Sequence, residues 1–252
     1  MKKILLLFLI CVASVSSVFS QVKNGNTFSF SVGPAFPTGQ FASKDFLSES
    51  SGLAKTGGAV SINYTKFVSA NFGITVCVQA QHNSMDVDVL EKEFGNSLTD
   101  FPVWSFDPRS WLYGALMLGG TGQFAMDKKN KFTLITKVLA GIAFAKSPGM
   151  AGKSNTATGL ASVEQNKKTA TGFTYCVGAG INYNINKSVF LTSSLTYNGT
   201  NKMTFKDVQT IVTSVEGTPG SPDYVAQQYM TTINGKQTIS SVNLLFGIGF
   251  RF

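Results

Sequence analysis

Three residues in the first half of the chain have the types that hydrolytic enzymes use: His82, Ser84 and Asp86. The single histidine of the chain stands two residues before the serine, so in an extended segment the two side chains share one face. A histidine base, a serine nucleophile and a carboxylate would suit ester hydrolysis. Such spacing also arises by chance, and the alternative is a histidine at a membrane interface. We therefore expect no enzyme.

The segment QHNS, which contains His82 and Ser84, is similar to the His-x-Ser pair of outer-membrane lipid A deacylases. This resemblance implies the alternative function, a lipid A-modifying hydrolase that uses His82 and Ser84.

The other residues do not indicate a metal, cofactor or nucleic-acid site. A single histidine argues against zinc, no glycine-rich phosphate loop is present, and the basic residues form no nucleic-acid motif. Cys77 and Cys176 could pair in an oxidising compartment or remain buried thiols, and we favour the thiols. The sequence therefore predicts no metal, no cofactor and no nucleic-acid partner.

The elements that position these residues are β-strands. In the last stretch, SVNLLFGIGFRF, every even position from Val242 to Phe252 is apolar, whereas the odd positions are mostly small or polar. A period of two is typical of a strand whose two faces meet different media. The same alternation predicts about eight strands in all. The other seven lie near residues 28–32, 58–65, 72–79, 112–124, 132–144, 173–185 and 189–197.

Composition indicates a secreted membrane protein. Lys2 and Lys3, a short apolar run and small residues before Gln21 are typical of a signal peptide, so we expect a signal peptide over 1–20 and one domain over 21–252. Only 13% of residues are charged, and no segment of the mature chain has the length of a membrane helix. The predicted fold is all-β, a transmembrane up-and-down antiparallel β-barrel. The alternative, a soluble lipocalin-like barrel, would need a charged exterior.

The connections between the strands alternate between short and long. Short links fall at 68–71, 127–131 and 184–188, and long ones at 36–54, 85–110, 148–170 and 206–236. In outer-membrane barrels the short turns are periplasmic, so we expect both termini in the periplasm. The aromatic residues beside the short turns predict one interfacial girdle: Tyr64, Phe72, Phe124, Phe132, Tyr183 and Phe252. A second girdle is predicted from Trp111, Tyr113, Phe144, Phe173 and Tyr175.

Three segments, FSVGPAFPTGQF, GGAVSINYTKFVSANFGITVCVQA and LLFGIGFRF, resemble the small OmpA/OmpX-type outer-membrane β-barrel proteins. The resemblance covers essentially the whole mature chain. It implies a bacterial outer membrane, contact with outer-membrane lipid and lipopolysaccharide, and a monomer. It also implies that the aromatic end, Phe250 and Phe252, is the signal that the barrel assembly machinery reads during biogenesis. Position 248 shares the parity of Phe250 and Phe252, but its residue is Ile248 and not a phenylalanine, so it is not part of this signal.

The face opposite the apolar one is polar and is expected to line the barrel lumen. The candidate lumen residues are Thr75, Cys77, Gln79, Lys137, Cys176, Asn182 and Arg251. An ammonium inside a barrel must be hydrated or paired, so Lys137 indicates a narrow porin-like passage with a weak anion preference. We favour the other interpretation, a barrel filled by its own side chains, in which inward glycines accommodate large neighbours.

The long link at 84–110 is acidic and aromatic. It holds six acidic and two basic residues, and its FPVWSF segment contains Phe101, Trp104 and Phe106. Such aromatics form either a contact surface for an external partner or a loop folded back over the barrel. The leading hypothesis is a non-enzymatic outer-membrane protein whose surface loops serve envelope integrity or an external interaction.

Overall fold

The computed structural model describes residues 25–45, 48, 50–97, 103–156, 159–216 and 225–252. The predicted signal peptide lies outside the described residues. The strands are β1 (Asn26–Pro37), β2 (Gly57–Phe67), β3 (Phe72–Ser84), β4 (Ser105–Phe106), β5 (Ser110–Ala125), β6 (Phe132–Lys146), β7 (Met150–Thr156), β8 (Gly159–Gln165), β9 (Thr169–Asn184), β10 (Val189–Thr200), β11 (Met203–Glu216), β12 (Val225–Gln237) and β13 (Ser240–Arg251). Two helices are described, α1 (Gly39–Ala42) and α2 (Val87–Ser97).

Eight strands close into one barrel. Their order around the wall is β1, β13, β10, β9, β6, β5, β3 and β2, and every neighbouring pair is antiparallel. The first and last strands close the wall, with Phe28 opposite Phe250 and Val32 opposite Phe246. Closure pairs the wall of the sheet completely, so no strand of the barrel is an edge. The predicted up-and-down barrel is therefore confirmed.

The barrel wall is apolar outside and largely polar inside. Val138, Leu118 and Phe173 point outward and are 64%, 57% and 53% exposed, whereas Ser61, Thr75 and Asn243 point inward and are buried. Exposing this apolar surface to water would cost a free energy of about 25 cal/mol for each Å². Contact with lipid removes this cost. The alternation is the reverse of the lipocalin-like arrangement, and it is the arrangement of a transmembrane barrel.

The short connections lie at one end of the barrel, here called the turn end, and the long ones lie at the opposite loop end. The first described strand begins and the last one ends at the turn end, where the Asn26 amide donates to the Phe252 carbonyl oxygen over 2.6 Å. In the β5–β6 turn, the Phe132 amide donates to the Asp127 carboxylate over 2.7 Å and holds the pKa of that carboxyl below its ordinary value. The predicted alternation of short and long links is confirmed.

The long connections contain a second sheet, which the sequence interpretation missed. Five strands from three connections pair in the order β12, β11, β8, β7 and β4. We call them the outer sheet. The segment predicted as a link over 206–236 is largely strand, because β11 begins three residues after Thr200 and contains alternating β-branched residues such as Ile211 and Thr213.

The structure agrees with the predicted aromatic girdle at the turn end and with only part of the one predicted at the loop end. All six aromatics predicted at the turn end are exposed on the barrel surface. At the loop end, Phe144, Phe173 and Tyr175 also point outward, but Trp111 and Tyr113 are buried inside, so their assignment to a girdle is wrong. Strand β5 has Leu112 and Leu118 on its lipid face, and the residues at odd positions therefore face the interior.

Among the residues that the structure describes, no helix is long and apolar enough to cross a membrane.

Barrel closure depends on close backbone approach at Gly247. A Cβ atom at this position would overlap the carbonyl oxygen of Phe30 in the neighbouring strand. At Gly58 on β2, a Cβ atom would meet nothing within 4 Å. We expect Gly247→Ala to lower the free energy of unfolding by about 1–3 kcal/mol because the strand pair must separate locally. Denaturant unfolding of the refolded barrel in detergent measures this, with Gly58→Ala as the matched control, and equal midpoints for the two variants would contradict the closure argument.

Candidate functional site

The middle of the barrel is filled by side chains. Met117 and Leu139 are almost completely buried and lie on neighbouring strands, with Cys77 opposite Met117 and Cys176 opposite Leu139. We call these four residues the middle layer. Both cysteines are free thiols, as the sequence interpretation favoured. Met117 and Leu139 were not among the predicted lumen residues, although Leu139 has the same parity as Lys137 and could have been found from it.

Polar groups surround the middle layer and are bonded to one another. The Thr75 hydroxyl lies 2.7 Å from that of Thr65 and 2.5 Å from that of Thr121, which links strands β2, β3 and β5. Gln79, predicted to line the lumen, is buried inside the barrel. Gln81, one inward position further along β3, accepts a hydrogen bond of 2.9 Å from Ser241 across the interior. These bonds satisfy the polar atoms that make them, whereas the buried Nε2 of Gln79 has no hydrogen-bond partner among the described residues.

Between the middle layer and the turn end lies a cavity of about 60 Å³, which we call the turn-end cavity. Three of the predicted lumen residues line it together, Lys137, Asn182 and Arg251, and Thr75 reaches it as well. The remaining lining is mostly hydroxyl and amide groups, including Ser29, Ser31, Thr65, Thr121 and Thr192. The cavity therefore brings two cations into one polar space.

Arg251 is held in place by its neighbours. Its guanidinium carbon lies 5.7 Å from the centre of the Phe190 ring, and its Nη2 donates to Asn184 Oδ1 over 3.4 Å. The Phe190 ring lies against Gly249, where any Cβ atom would overlap it. This is the role that the sequence interpretation gave to the inward glycines. A guanidinium stacked on an aromatic ring is stabilised by the cation–π interaction. Because the ring already restricts the arginine side chain, the side chain loses less conformational entropy when it binds a ligand.

The loop end of the barrel is covered by the segment between β1 and β2, which we call the cap. The Trp111 indole nitrogen donates to the Gly52 carbonyl oxygen over 2.8 Å, and its ring packs edge-on against Phe41 of α1 and Phe205 of β11 at 5.7 and 5.8 Å. Backbone bonds between Leu53 and Asp86 and between Lys55 and Ser84 attach the cap to the end of β3. Trp111 therefore anchors the cap instead of facing lipid.

A buried carboxylate fixes the same junction. Asp86 is 2% exposed, and its oxygens lie 2.9 Å from Lys44 Nζ and 3.0 Å from Lys55 Nζ. Lys55 also contacts Asp88 at 2.8 Å. Burial raises the pKa of Asp86, but the hydrogen bonds from the two lysines outweigh it, and the pKa lies below its ordinary value. The hydrogen bonds that Lys55 donates to Asp88 and then to Asp86 raise the pKa of Lys55.

The hypothetical hydrolase residues are not assembled as a triad. His82 and Ser84 do share one face, as predicted, but that face is the exposed outer wall of β3. Asp86 instead points into the cap, where the two lysines bind its carboxylate. The chain direction changes after β3, so the alternation that relates His82 to Ser84 no longer applies two residues later.

Two of the predicted contact aromatics are buried. Trp104 and Phe106 are 4% and 5% exposed, and their rings pack 5.9 Å apart with Phe94 of α2 at 5.1 Å from each. The hypothesis that they form a surface for an external partner is therefore wrong, because α2 and the outer sheet cover them. Phe101 lies outside the described residues.

The exposed surface of the outer sheet is on β12. Tyr229 and Met230 are each 63% exposed, and side chains on both faces of the strand between Val225 and Ile233 are open to solvent. Strand β12 pairs with β11 on one side only. The exposed side chains and the unpaired side of β12 therefore lie on the same strand.

The predicted assembly signal lies where β13 reaches the turn end. Phe250 and Phe252 point outward and are exposed, while their reading by an assembly machinery remains a prediction. Ile248 shares their face, lies opposite Phe30 of β1 and is also exposed. Position 248 carries an aliphatic residue on the lipid face and not a phenylalanine, so it does not belong to the aromatic signal. The aromatic end therefore consists of Phe250 and Phe252 without Ile248.

The Asp86 cluster predicts that the cap loosens in acid. Because the folded pKa is lowered, its stabilisation is present above the ordinary carboxyl pKa and is lost as the pH falls through the folded value. Asp86→Asn should lower the free energy of local opening by about 1–3 kcal/mol at neutral pH. Hydrogen exchange at Leu53 and Asp86, corrected for the intrinsic pH dependence, measures the opening. Asp88→Asn, which removes an exposed partner of Lys55, should change it much less, and equal effects of the two variants would show that burial of Asp86 does not matter.

Comparisons with known proteins give matches to solved structures only. No family model matches the chain, and no curated protein matches its sequence. Neisserial surface protein A is similar at 11% identity over 90% of this chain and 97% of that one, with a TM-score of 0.47. The attachment invasion locus protein Ail of Yersinia pestis is similar at 13% identity over 91% and 99%, with a TM-score of 0.43. The outer membrane protease OmpT from Escherichia coli is similar at 9% identity over 92% and 98%, with a TM-score of 0.41. The strand pairing of the chain itself confirms the predicted fold, a closed up-and-down antiparallel barrel of eight strands.

Proposed function

We propose that this protein is an integral, non-enzymatic component of a bacterial outer membrane, with both termini in the periplasm, and that it acts at the cell surface through its outer sheet. The observation that carries the proposal is strand β12, a long, exposed strand with one free edge. The barrel is then the anchor, and the outer sheet is the surface that serves envelope integrity or an external interaction.

The orientation is supported by what lies at each end of the barrel. Short turns are the periplasmic connections of outer-membrane barrels, and here they share an end with the start of β1 and the end of β13. Lysines at those turns suit the phosphate groups of lipids: Lys128, Lys129, Lys131 and Lys187. The opposite end carries the outer sheet, and lipopolysaccharide would surround it in this orientation.

The chemistry of β12 supports a contact surface. Between Val225 and Gly235 the strand has no charged residue, and it presents Tyr229, Met230 and Ile233 to solvent. Natural edge strands are usually protected by charges, proline or bulges, because unpaired backbone groups invite another strand. An unprotected edge with exposed aromatic and aliphatic side chains suits association with another polypeptide, by backbone pairing and side-chain contact together.

The contents of the barrel favour an anchor over a passage or a hydrolase. The middle layer and the Trp111 contacts fill the interior above the turn-end cavity. Asp86 is committed to two lysines, so His82 and Ser84 have no carboxylate from that position. A narrow passage and a lipid A-modifying enzyme remain the alternatives.

The orientation can be tested by cysteine labelling, because the cysteines of the described chain are buried and give little background. Tyr229→Cys should react with a membrane-impermeant maleimide on intact cells, since the side chain lies on the outer sheet. Lys187→Cys, at a short turn, should react only after the outer membrane is permeabilised. The reverse pattern would invert the proposed topology.

The role of the outer sheet can be tested by shortening its hairpin. Gln209 and Thr232 are directly paired, so residues 210–231 can be replaced by Asn-Gly, a two-residue turn that suits a hairpin. The variant should still form a heat-modifiable barrel but should not restore detergent resistance or surface attachment to cells that lack the protein. As a matched control, Gly58→Ala should restore both. Full rescue by the shortened hairpin would place the function in the barrel.

A further inference from the structure

We infer that the turn-end cavity is a binding site for a small oxyanion of the phosphate class, held between Lys137 and Arg251. This site lies at the opposite end of the molecule from the outer sheet, and the inference does not depend on the function proposed for that sheet. The sequence interpretation placed Lys137 in the lumen and kept a passage as the alternative to a filled barrel, whereas this inference gives Lys137 a binding role.

The charge of the cavity is one-sided. Lys137 and Arg251 both line it, and no aspartate or glutamate is among the described residues that do so. The effective dielectric in a confined cavity is lower than in bulk water, so each of these cations attracts an anion more strongly there. An anion bound in the cavity gains an attractive pair with each cation and meets no negative side chain, so the site favours negative charge.

The donors around the cations suit oxygen atoms. The Thr65, Thr75 and Thr121 hydroxyls form a continuous chain on one side of the cavity, and Ser29, Ser31 and Thr192 add further hydroxyls. Charge-assisted hydrogen bonds from lysine and arginine to an oxyanion are among the strongest in proteins. Arginine also provides a planar fork that matches two oxygens of a phosphate, and here the fork is held by Phe190 and Asn184.

The cavity has room for such an ion. Its volume is about 60 Å³, whereas a single water needs only about 10–15 Å³ by the same kind of measure. The space therefore suits a small tetrahedral ion together with ordered water, and it is too small for a nucleotide or a sugar phosphate.

The cavity is a blind site because its inner end is closed. Leu139 is two residues beyond Lys137 on β6 and belongs to the middle layer, as does Met117 on β5. Arg251 is near the chain end and only half-buried, so an ion enters from the turn end. In the orientation proposed above, that end faces the periplasm. The phosphate could be a free ion or the headgroup phosphate of a lipid in the inner leaflet, and the chemistry of recognition is the same.

Phosphate binding by the refolded protein tests the inference. In a detergent without phosphate groups, titration with inorganic phosphate at constant ionic strength should give a saturable calorimetric signal and a raised unfolding temperature. Lys137→Gln and Arg251→Gln should each weaken the binding at least tenfold. Lys202→Gln makes the same charge change at an exposed position of the loop end, outside the cavity, and should leave the binding unchanged. A heat-modifiable band for every variant establishes that the barrels compared are folded.

Equal binding by all four proteins, or no saturable binding by the wild type, would overturn the inference. The source of the phosphate is distinguished by repeating the titration in nanodiscs of phosphatidylglycerol and of an uncharged glycolipid. Competition only in phosphatidylglycerol assigns the site to a lipid headgroup, and equal binding in both assigns it to a free ion. Either result supports an oxyanion site, and neither bears on the hairpin and labelling experiments.

Discussion

The structure depends on one constraint, that a sheet in lipid must leave no backbone hydrogen-bonding group unpaired. Pairing of β1 with β13 meets this constraint by removing both edges of the wall. Close contact at this junction needs residues without side chains, such as Gly247 and Gly33. The constraint ends where the barrel leaves the lipid, and among the described strands the free edges are those of the outer sheet, the longer one on β12. The position of that edge is therefore a direct result of where water can satisfy the backbone.

The wall also dictates what the interior can contain. Alternation places every second residue of eight strands inside. The resulting space is filled from the loop end by the cap, then by Trp111 and Tyr113 and by the middle layer, and it is only partly filled at the turn end. Charges are distributed accordingly. The buried acid of the interior, Asp86, is at the loop end with two lysines, whereas Lys137 and Arg251 are at the turn end among hydroxyl groups. The two ends of the barrel therefore differ in both packing and charge.

Strand alternation explains which features could be predicted from the sequence. The eight barrel strands, the order of short and long links and the interior position of Thr75 and Lys137 all follow from a period of two. The period was hard to recognise in β5, where Gly114, Gly119, Gly120 and Gly122 lie on both faces, so Trp111 and Tyr113 were assigned to the wrong side. Burial of Trp104 and Phe106 could not be predicted either, because it depends on residues of α2 and the outer sheet that are distant in sequence.

The pairing of β11 with both β8 and β12 determines how far the protein reaches. Strand β11 has 14 residues, and at roughly 3.3 Å per residue it spans roughly 45 Å. An isolated pair of strands of this length would bend, whereas a third strand along part of it makes the projection stiff. Any contact made by β12 is therefore made on a stiffened sheet and not on an isolated hairpin. The outer sheet, and not the barrel wall, carries the exposed strand through which the protein would meet its surroundings.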